Sequence, residues 1–531
     1  MIDNPEKIAS RTVAEWTFST LKQYENPFID VKVDVEFVRP DGAVLLMPAF
    51  YDGDQTWKVR FNPGRPGKWI YRVVSRPNNP DFDLSGHFEV GDQKTKGFLR
   101  SVPGKNWGFE YESGEPAFLL GDTVYNLFGA DFCGLDVPAF LERRARQGFN
   151  LLRVRLPVSP FHPPAGYSAW QTRRTWPWGG SEQAPRFDQF NLEYFHTVDK
   201  VVAQAEQLGV GLEMIMEAYG FEFPFNSRNI FVPEWEELWL RYLIARYDAF
   251  NAVYFWTPMN EYEYYPNGDW HYKPVADLWA MRIARWIKEI APHGHILSIH
   301  NGPVMPAFAK RFAADPQAID TIMFQAWGTV GQEDSWLAGG IEEQIGGSFK
   351  DWGGTAVFAE YGYERNPEFE LLVPGHIFCD EEHTRRGAWR GAFCALPVIH
   401  GFENSWGPWQ ILDRDQPGLV YLQHLRDFFT RIVPFNDLKP APELISSAPA
   451  PVGFRPKILA NSSRSTICVY LPVGGSVSLI LPDGVDFQGQ WFDPRTGELN
   501  PTGSHYSGKM TLTAPEGGKS HPWDWVLVLK A

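Results

Sequence analysis

Cysteine is scarce: four occur in 531 residues, at Cys133, Cys379, Cys394 and Cys468. None forms a CxxC pair and no regular spacing joins them, so neither a zinc site nor a disulfide framework is expected. No grouping of His, Asp and Glu has metal-ligand spacing either, and the chemistry is expected to need no metal and no cofactor. Basic runs are missing and the formal net charge is −15, which argues against nucleic acid or an anionic membrane as partner. No apolar run approaches the roughly 20 residues that cross a bilayer. The opening residues, Met1-Ile2-Asp3-Asn4-Pro5-Glu6, lack the basic and apolar segments of an export signal. They point to a cytoplasmic protein unless a leader has been trimmed.

Aromatic side chains, by contrast, are abundant at 15% of residues, with 22 Trp. Trp and Tyr present flat faces that stack on the C–H faces of sugars, although Trp-rich cores also exist. Hydrophobic residues at 44% and charged ones at 21% describe an ordinary globular protein. At about 100–200 residues per domain, the length calls for three or four domains.

Residues 16–90 read as all-β. Val31-Lys32-Val33-Asp34-Val35-Glu36-Phe37 alternates as a half-buried strand does, and strands at 57–61 and 69–73 follow, with hairpin turns at Asp41-Gly42 and Asp52-Gly53. Short strands so spaced make a small β-sandwich. Residues 91–107 read as a polar junction. From Pro116 the pattern switches to strands alternating with amphipathic helices: strands near 117–122, 149–157, 210–217, 253–261, 295–300, 319–326, 355–361 and 398–404, with helices at 137–147, 191–208, 233–250 and 274–291. Eight strands in this alternation fit a (β/α)8 TIM barrel, an α/β fold. The rival, a doubly wound open sheet, lacks a Gly-rich phosphate loop after its first strand. Proline-rich residues 434–456 read as a linker, and strands at 467–471, 477–481 and 525–529 form a second small sandwich. The expected division is residues 1–95, an N-terminal β-sandwich; 96–435, the barrel; and 436–531, a C-terminal β-sandwich.

The barrel strand ending Val253-Tyr254-Phe255-Trp256-Thr257-Pro258-Met259-Asn260-Glu261 places an amide and a carboxyl at the barrel rim. Ala356-Val357-Phe358-Ala359-Glu360 repeats the layout at the seventh strand. Two carboxyl groups on one rim are the minimum equipment for cleaving a glycosidic bond. Either glutamate could instead be a buried partner of Arg153 or Arg155.

Several segments carry a family resemblance. Glu25-Asn26-Pro27-Phe28, Phe50-Tyr51-Asp52-Gly53 and Arg60-Phe61-Asn62-Pro63 resemble the sandwich that precedes many bacterial glycosidase barrels. Leu120-Gly121-Asp122-Thr123, Arg144-Ala145-Arg146-Gln147-Gly148-Phe149-Asn150 and Arg385-Arg386-Gly387-Ala388-Trp389 resemble the apiosidase-like group of the clan A glycoside hydrolases. Trp491-Phe492-Asp493-Pro494 with Trp523-Asp524-Trp525-Val526-Leu527 resembles a C-terminal domain named for collagen binding. The resemblance implies a retaining mechanism with Glu261 as acid/base and Glu360 as nucleophile. It implies that an arginine of the second strand, Arg153 or Arg155, holds the nucleophile. Asn260 would bond the sugar hydroxyl beside the anomeric carbon. Asp122 could chelate sugar hydroxyls or make a local cap. Gln325 and Trp327 end the sixth strand, and Trp406 follows the eighth, where clan members place an aromatic floor; core packing is the alternative for each. His300 ends the fifth strand, as a substrate contact or a structural histidine. Glu217, Glu263, Glu364 and Glu403 also lie near strand ends and read as substrate contacts or pocket support.

The loop between the second and third strands, residues 157–189, is long and aromatic. A blind pocket closed by it would favour attack on chain ends; an open cleft would favour internal cleavage. The expectation is a retaining, exo-acting glycosidase working on oligosaccharides or glycosides inside the cell. An endo-acting glycanase, a transglycosidase and a non-catalytic sugar-binding barrel are the alternatives.

Overall fold

A computed structural model describes residues 5–105, 107–158, 175–269, 271–302, 311–325, 353–364, 378–402, 415–447, 455–515 and 523–531. Its centre is a closed barrel of parallel strands: β1 (Leu120–Thr123), β2 (Leu151–Arg155), β3 (Gly211–Tyr219), β4 (Val253–Asn260), β5 (Ile296–His300), β6 (Thr321–Gln325), β7 (Thr355–Glu360) and β8 (Val398–His400), with β8 pairing back onto β1. Helices α1 (Val137–Gln147), α2 (Leu192–Leu208), α3 (Pro233–Tyr247), α4 (Val275–Ile290), α5 (Glu381–Ala392) and α6 (Leu419–Asp427) belong to the same domain. Their ends are written locally. The Asn191 side chain caps α2 by accepting from the Tyr194 N–H, and Gly209 closes the helix in the left-handed conformation that residues with a Cβ resist.

The barrel interior is layered because strand side chains alternate. Leu151, Phe255, Met323, Val357 and Ile399 form an apolar lower layer. The short ribbon Leu99–Ser101/Phe109–Tyr111 packs against it from below, with Phe109 edge-on to Phe255 at 5.6 Å. Part of this ribbon lies in the expected polar junction; three-residue strands carry too little periodicity to be seen. Two residues further along β2 the interior turns polar, with Arg153, Glu213, Thr257 and Ser298 all buried.

The N-terminal sandwich pairs a five-stranded sheet with a three-stranded one around Trp16, Phe37, Trp57, Phe61, Trp69 and Phe88. The C-terminal unit has a six-stranded and a three-stranded sheet. Its edge strands Lys439–Pro440 and Ile445–Ser447 come from the stretch expected to be a linker. Proline is tolerated there because an edge strand need not donate every N–H. The domain is locked to α5 by Arg385, whose guanidinium lies 2.8 Å from Asp524, both fully buried. Trp16, Trp57, Trp69, Trp178, Trp239, Trp256 and Trp389 are all buried, so much of the aromatic excess is core rather than sugar platform.

Candidate active site

Strand β4 ends in a forced turn. Glu261 has φ 49° and ψ 53°, the left-handed region, at a residue with a full side chain. Such a conformation costs on the order of 1–2 kcal/mol and persists only where surrounding structure fixes it. Here it swings the Glu261 carboxyl to the rim, where Gln325 Nε2 donates to Oε1 at 2.7 Å and Tyr264 adds a side-chain hydrogen bond. A register shift between β6 and β7 sets Gln325 opposite Glu360. Glu360 is buried, and its Oε1 accepts from Arg153 Nη1 at 2.6 Å and from the Tyr125 hydroxyl at 3.1 Å.

The two carboxyl groups sit in opposite environments. Burial, and then the negative charge of Glu360, push the Glu261 carboxyl up to about 8. Glu360 instead faces a guanidinium that is fully buried. Arg153 spans three barrel strands: its Nε lies 3.2 Å from Glu213, its Nη1 bonds Glu360, and its Nη2 donates to Asn260 Oδ1. The structure thus separates the two arginines that share strand parity. Arg153 takes Glu360, whereas Arg155 pairs with Glu222 in the loop after β3.

Other expected site residues fall differently. Asn260 is buried, and its Nδ2 has no hydrogen-bond partner among the described residues. His300 is buried with Nε2 3.5 Å from Glu360 Oε1; burial, then the charge of Arg153, push its pKa well down and keep the ring neutral. Gln325 acts on Glu261 through the bond above. Asp122 departs from the expectation that it chelates sugar hydroxyls. It is 1% exposed, and both oxygens are engaged, by Arg144 Nε at 2.7 Å and His400 Nδ1 at 2.8 Å. These partners lie 22 and 278 residues away, so local sequence could not reveal them. Trp327, Trp406 and Glu403 lie outside the described residues. Glu217 pairs with Arg228 at 2.6 Å and Glu263 with Arg311 at 3.0 Å. Among the described residues, no three His, Cys, Asp or Glu side chains are grouped to hold a metal ion.

Sequence reasoning missed the tyrosines around Glu360. Tyr125, just beyond β1, bonds Glu360 and lies 3.2 Å from the Tyr363 hydroxyl, and Tyr219 at the end of β3 joins the same cluster. Burial, the largest influence on each, raises all three hydroxyl pKa values, so they are neutral donors. A lone tyrosine after a strand carries no pattern that would single it out.

His400 makes a testable clamp beneath the rim. Its two ring nitrogens face Asp122 at 2.8 Å and Glu364 at 3.0 Å, and Glu364 also accepts from the Gly418 N–H at 2.7 Å. Burial alone would lower the imidazole pKa; the bonds to both carboxylates outweigh it and hold the ring charged up to about 9. A raised pKa stabilises the fold fully below the unfolded value near 6.5, and that stabilisation is lost as pH rises through the folded value. The gap corresponds to roughly 3 kcal/mol. Tm should therefore fall between about pH 6.5 and 9, and His400→Ala should start lower and lack this slope. Thermal unfolding across that pH range checks it; parallel curves for the two proteins would contradict the clamp.

With this geometry in hand, comparison with known proteins is informative. An apiosidase-like catalytic domain profile matches residues 105–409. A domain of unknown function matches residues 11–76, and a presumed collagen-binding domain of a collagenase matches residues 440–530. No curated protein matches the chain. Among solved structures, a presumed glycoside hydrolase from Bacteroides vulgatus ATCC 8482 is similar at 17% identity, over 99% of this chain and 100% of that one, with a TM-score of 0.73. A glycoside hydrolase family 5 protein from the same organism is similar at 17% identity over 82% and 93% of the two chains, TM-score 0.64. These likenesses show a shared fold.

Proposed function

We infer the reaction from the premise that this chain belongs to the apiosidase-like family of catalytic domains, whose profile spans its barrel. The protein is a glycosidase and its substrate is a carbohydrate. Within that activity, the reading the site supports best is a retaining mechanism with Glu360 as nucleophile and Glu261 as acid/base. The observation that carries it is the contrast between the two carboxyls: Glu360 bonded to Arg153 and Tyr125, Glu261 pushed up to about 8.

In the first step an oxygen of Glu360 attacks the anomeric carbon, the bond to the leaving oxygen breaks, and the proton on Glu261 passes to that oxygen. In the second, Glu261, now a carboxylate, takes a proton from water as its oxygen attacks the same carbon and releases Glu360. Arg153 and Tyr125 orient Glu360 throughout. The Asn260 Nδ2, buried without a described partner, suits a hydroxyl beside the anomeric carbon. Action on chain ends follows from the length and aromatic content of the sequence between β2 and the hairpin of Trp178–Ser181 and Ala184–Phe190, which suit a closed pocket.

The pH profile tests the assignment. If Glu261 must be protonated, kcat/KM on a natural glycoside, whose leaving oxygen needs the proton, should fall above about pH 8 in the wild type. Glu261→Gln, which cannot titrate, should lose that basic limb. A limb of unchanged position in the variant would remove Glu261 from the acid role.

A further inference from the structure

We propose that Asn26 of the N-terminal sandwich is a positioning residue for the substrate pocket, holding in place the hairpin inserted between β2 and α2. This rests on the glycosidase reading above. It also gives a task to the Glu25-Asn26-Pro27-Phe28 motif, which the chemistry of the barrel leaves unused.

The sandwich runs up the outside of the barrel along α2 and α3, helices that start at the catalytic rim and end at the floor. At the floor, Asn62 Nδ2 donates to the Ala249 carbonyl at 3.0 Å, and the Asn62 N–H donates to His293 Nε2 at 3.1 Å. Half-way along α2, Asp199 pairs with Arg60 at 2.8 Å, and near the floor end of α3, Arg246 pairs with Asp52 at 3.0 Å. At the rim, Asn26 Nδ2 donates to both the carbonyl and the carboxylate of Asp188, at 3.0 and 2.8 Å.

Asn26 is built for this. It is 6% exposed. Its Oδ1 accepts from the Phe28 N–H at 3.2 Å, and its own N–H donates to Asp30 at 2.7 Å, so the amide cannot turn away. Phe28 then meets Phe190 edge-on at 5.4 Å. One loop of the sandwich thus grips two neighbouring points of the hairpin strand Ala184–Phe190, whose partner is Trp178–Ser181. Losing Asn26 takes a buried donor from the Asp188 carbonyl, the costly way to break a hydrogen bond, whereas the carboxylate keeps Arg186 at 2.9 and 3.0 Å.

From the hairpin, packed rings lead to the catalytic carboxyl. Trp176, next to the hairpin, stacks on Phe223 at 6.2 Å with the ring planes 12° apart. Phe223 belongs to the loop after β3, whose Phe221 stacks on Tyr219 at 4.9 Å and meets Tyr264 edge-on at 5.6 Å. Tyr264 bonds Glu261. The hairpin thus leans on the loop beside the acid, and the proposal makes it a pocket wall that the sandwich props from outside. On this proposal the wall meets the substrate away from the breaking bond, so its loosening acts on KM more than on kcat.

The test uses the full-length protein with Asn26→Ala, Asp188→Ala, the double variant, and Asn62→Ala as a control at the floor of the same interface. Hydrogen exchange is read over residues 178–190, and kcat and KM are read on aryl glycosides. Expected are hairpin amides exchanging about tenfold faster in Asn26→Ala and Asp188→Ala but not in Asn62→Ala. KM should rise about tenfold in each of the first two, with kcat within about twofold and no further rise in the double variant. Unchanged hairpin exchange in Asn26→Ala overturns the proposal. So does equal acceleration in Asn62→Ala, or additive KM effects, since either marks general loosening of the interface. Asp188→Ala, at a half-buried position towards the open end of the hairpin strand, keeps the test open if Asn26→Ala fails to fold. A wild type inactive on every glycoside would reject the glycosidase reading, while the exchange comparison would still decide whether Asn26 positions the hairpin.

Discussion

Glu360→Gln should reduce turnover by on the order of 10⁴-fold or more while leaving the fold intact. The substitution keeps the shape of the side chain and an oxygen able to accept from Arg153 and Tyr125, which bond Glu360 Oε1 at 2.6 and 3.1 Å. It removes the charged oxygen that forms the covalent bond, and an amide does not substitute for it. The fold should tolerate the change because Arg153 keeps a second carboxylate, Glu213, at 3.2 Å, so the buried guanidinium is not stranded. Circular dichroism and thermal unfolding should match the wild type, with turnover of an aryl glycoside lost. Substantial turnover in a folded Glu360→Gln protein would remove Glu360 as nucleophile.

Glu261→Ala should divide substrates by their leaving groups. A natural glycoside leaves as a poorly stabilised alkoxide and needs the proton that Glu261 carries. Its cleavage should slow by about 10²–10⁴-fold. An activated aryl glycoside leaves as a stabilised phenolate, so its first step should suffer far less. The second step still lacks a base for water, so a sugar should accumulate on Glu360, visible as a mass increase on the intact protein. Equal slowing of both substrate classes would contradict the acid role.

How far the sequence carries can be judged residue by residue. The strand expected at 253–261 is β4, Val253–Asn260, because a continuous apolar run flanked by helical segments has few other readings. The positions of Glu261 and Glu360 at the rim follow from where those runs end. The choice between Arg153 and Arg155 could not be read, since side chains two apart share a face and only their depth in the barrel separates them. Asp122 sits at a strand end like a ligand-binding residue, yet Arg144 and His400 claim both its oxygens. Such pairings depend on tertiary structure alone. The Glu25-Asn26-Pro27-Phe28 motif was visible as a motif, but its contact with Asp188 crosses 162 residues. The stretch 434–456 has the proline content of a linker, yet edge strands such as Lys439–Pro440 and Ile445–Ser447 tolerate the same content.

The most direct test of the two-glutamate account is product configuration in the presence of azide. Azide needs no general base. In Glu261→Ala it should attack the sugar held on Glu360, restore turnover of an activated aryl glycoside, and give a glycosyl azide of retained configuration by NMR. In Glu360→Ala it should enter the space the nucleophile left, attack the substrate directly, and give the inverted azide. Inverted product from Glu261→Ala with retained product from Glu360→Ala would exchange the two roles. No rescue in either variant, together with inverted hydrolysis by the wild type, would contradict the retaining mechanism itself.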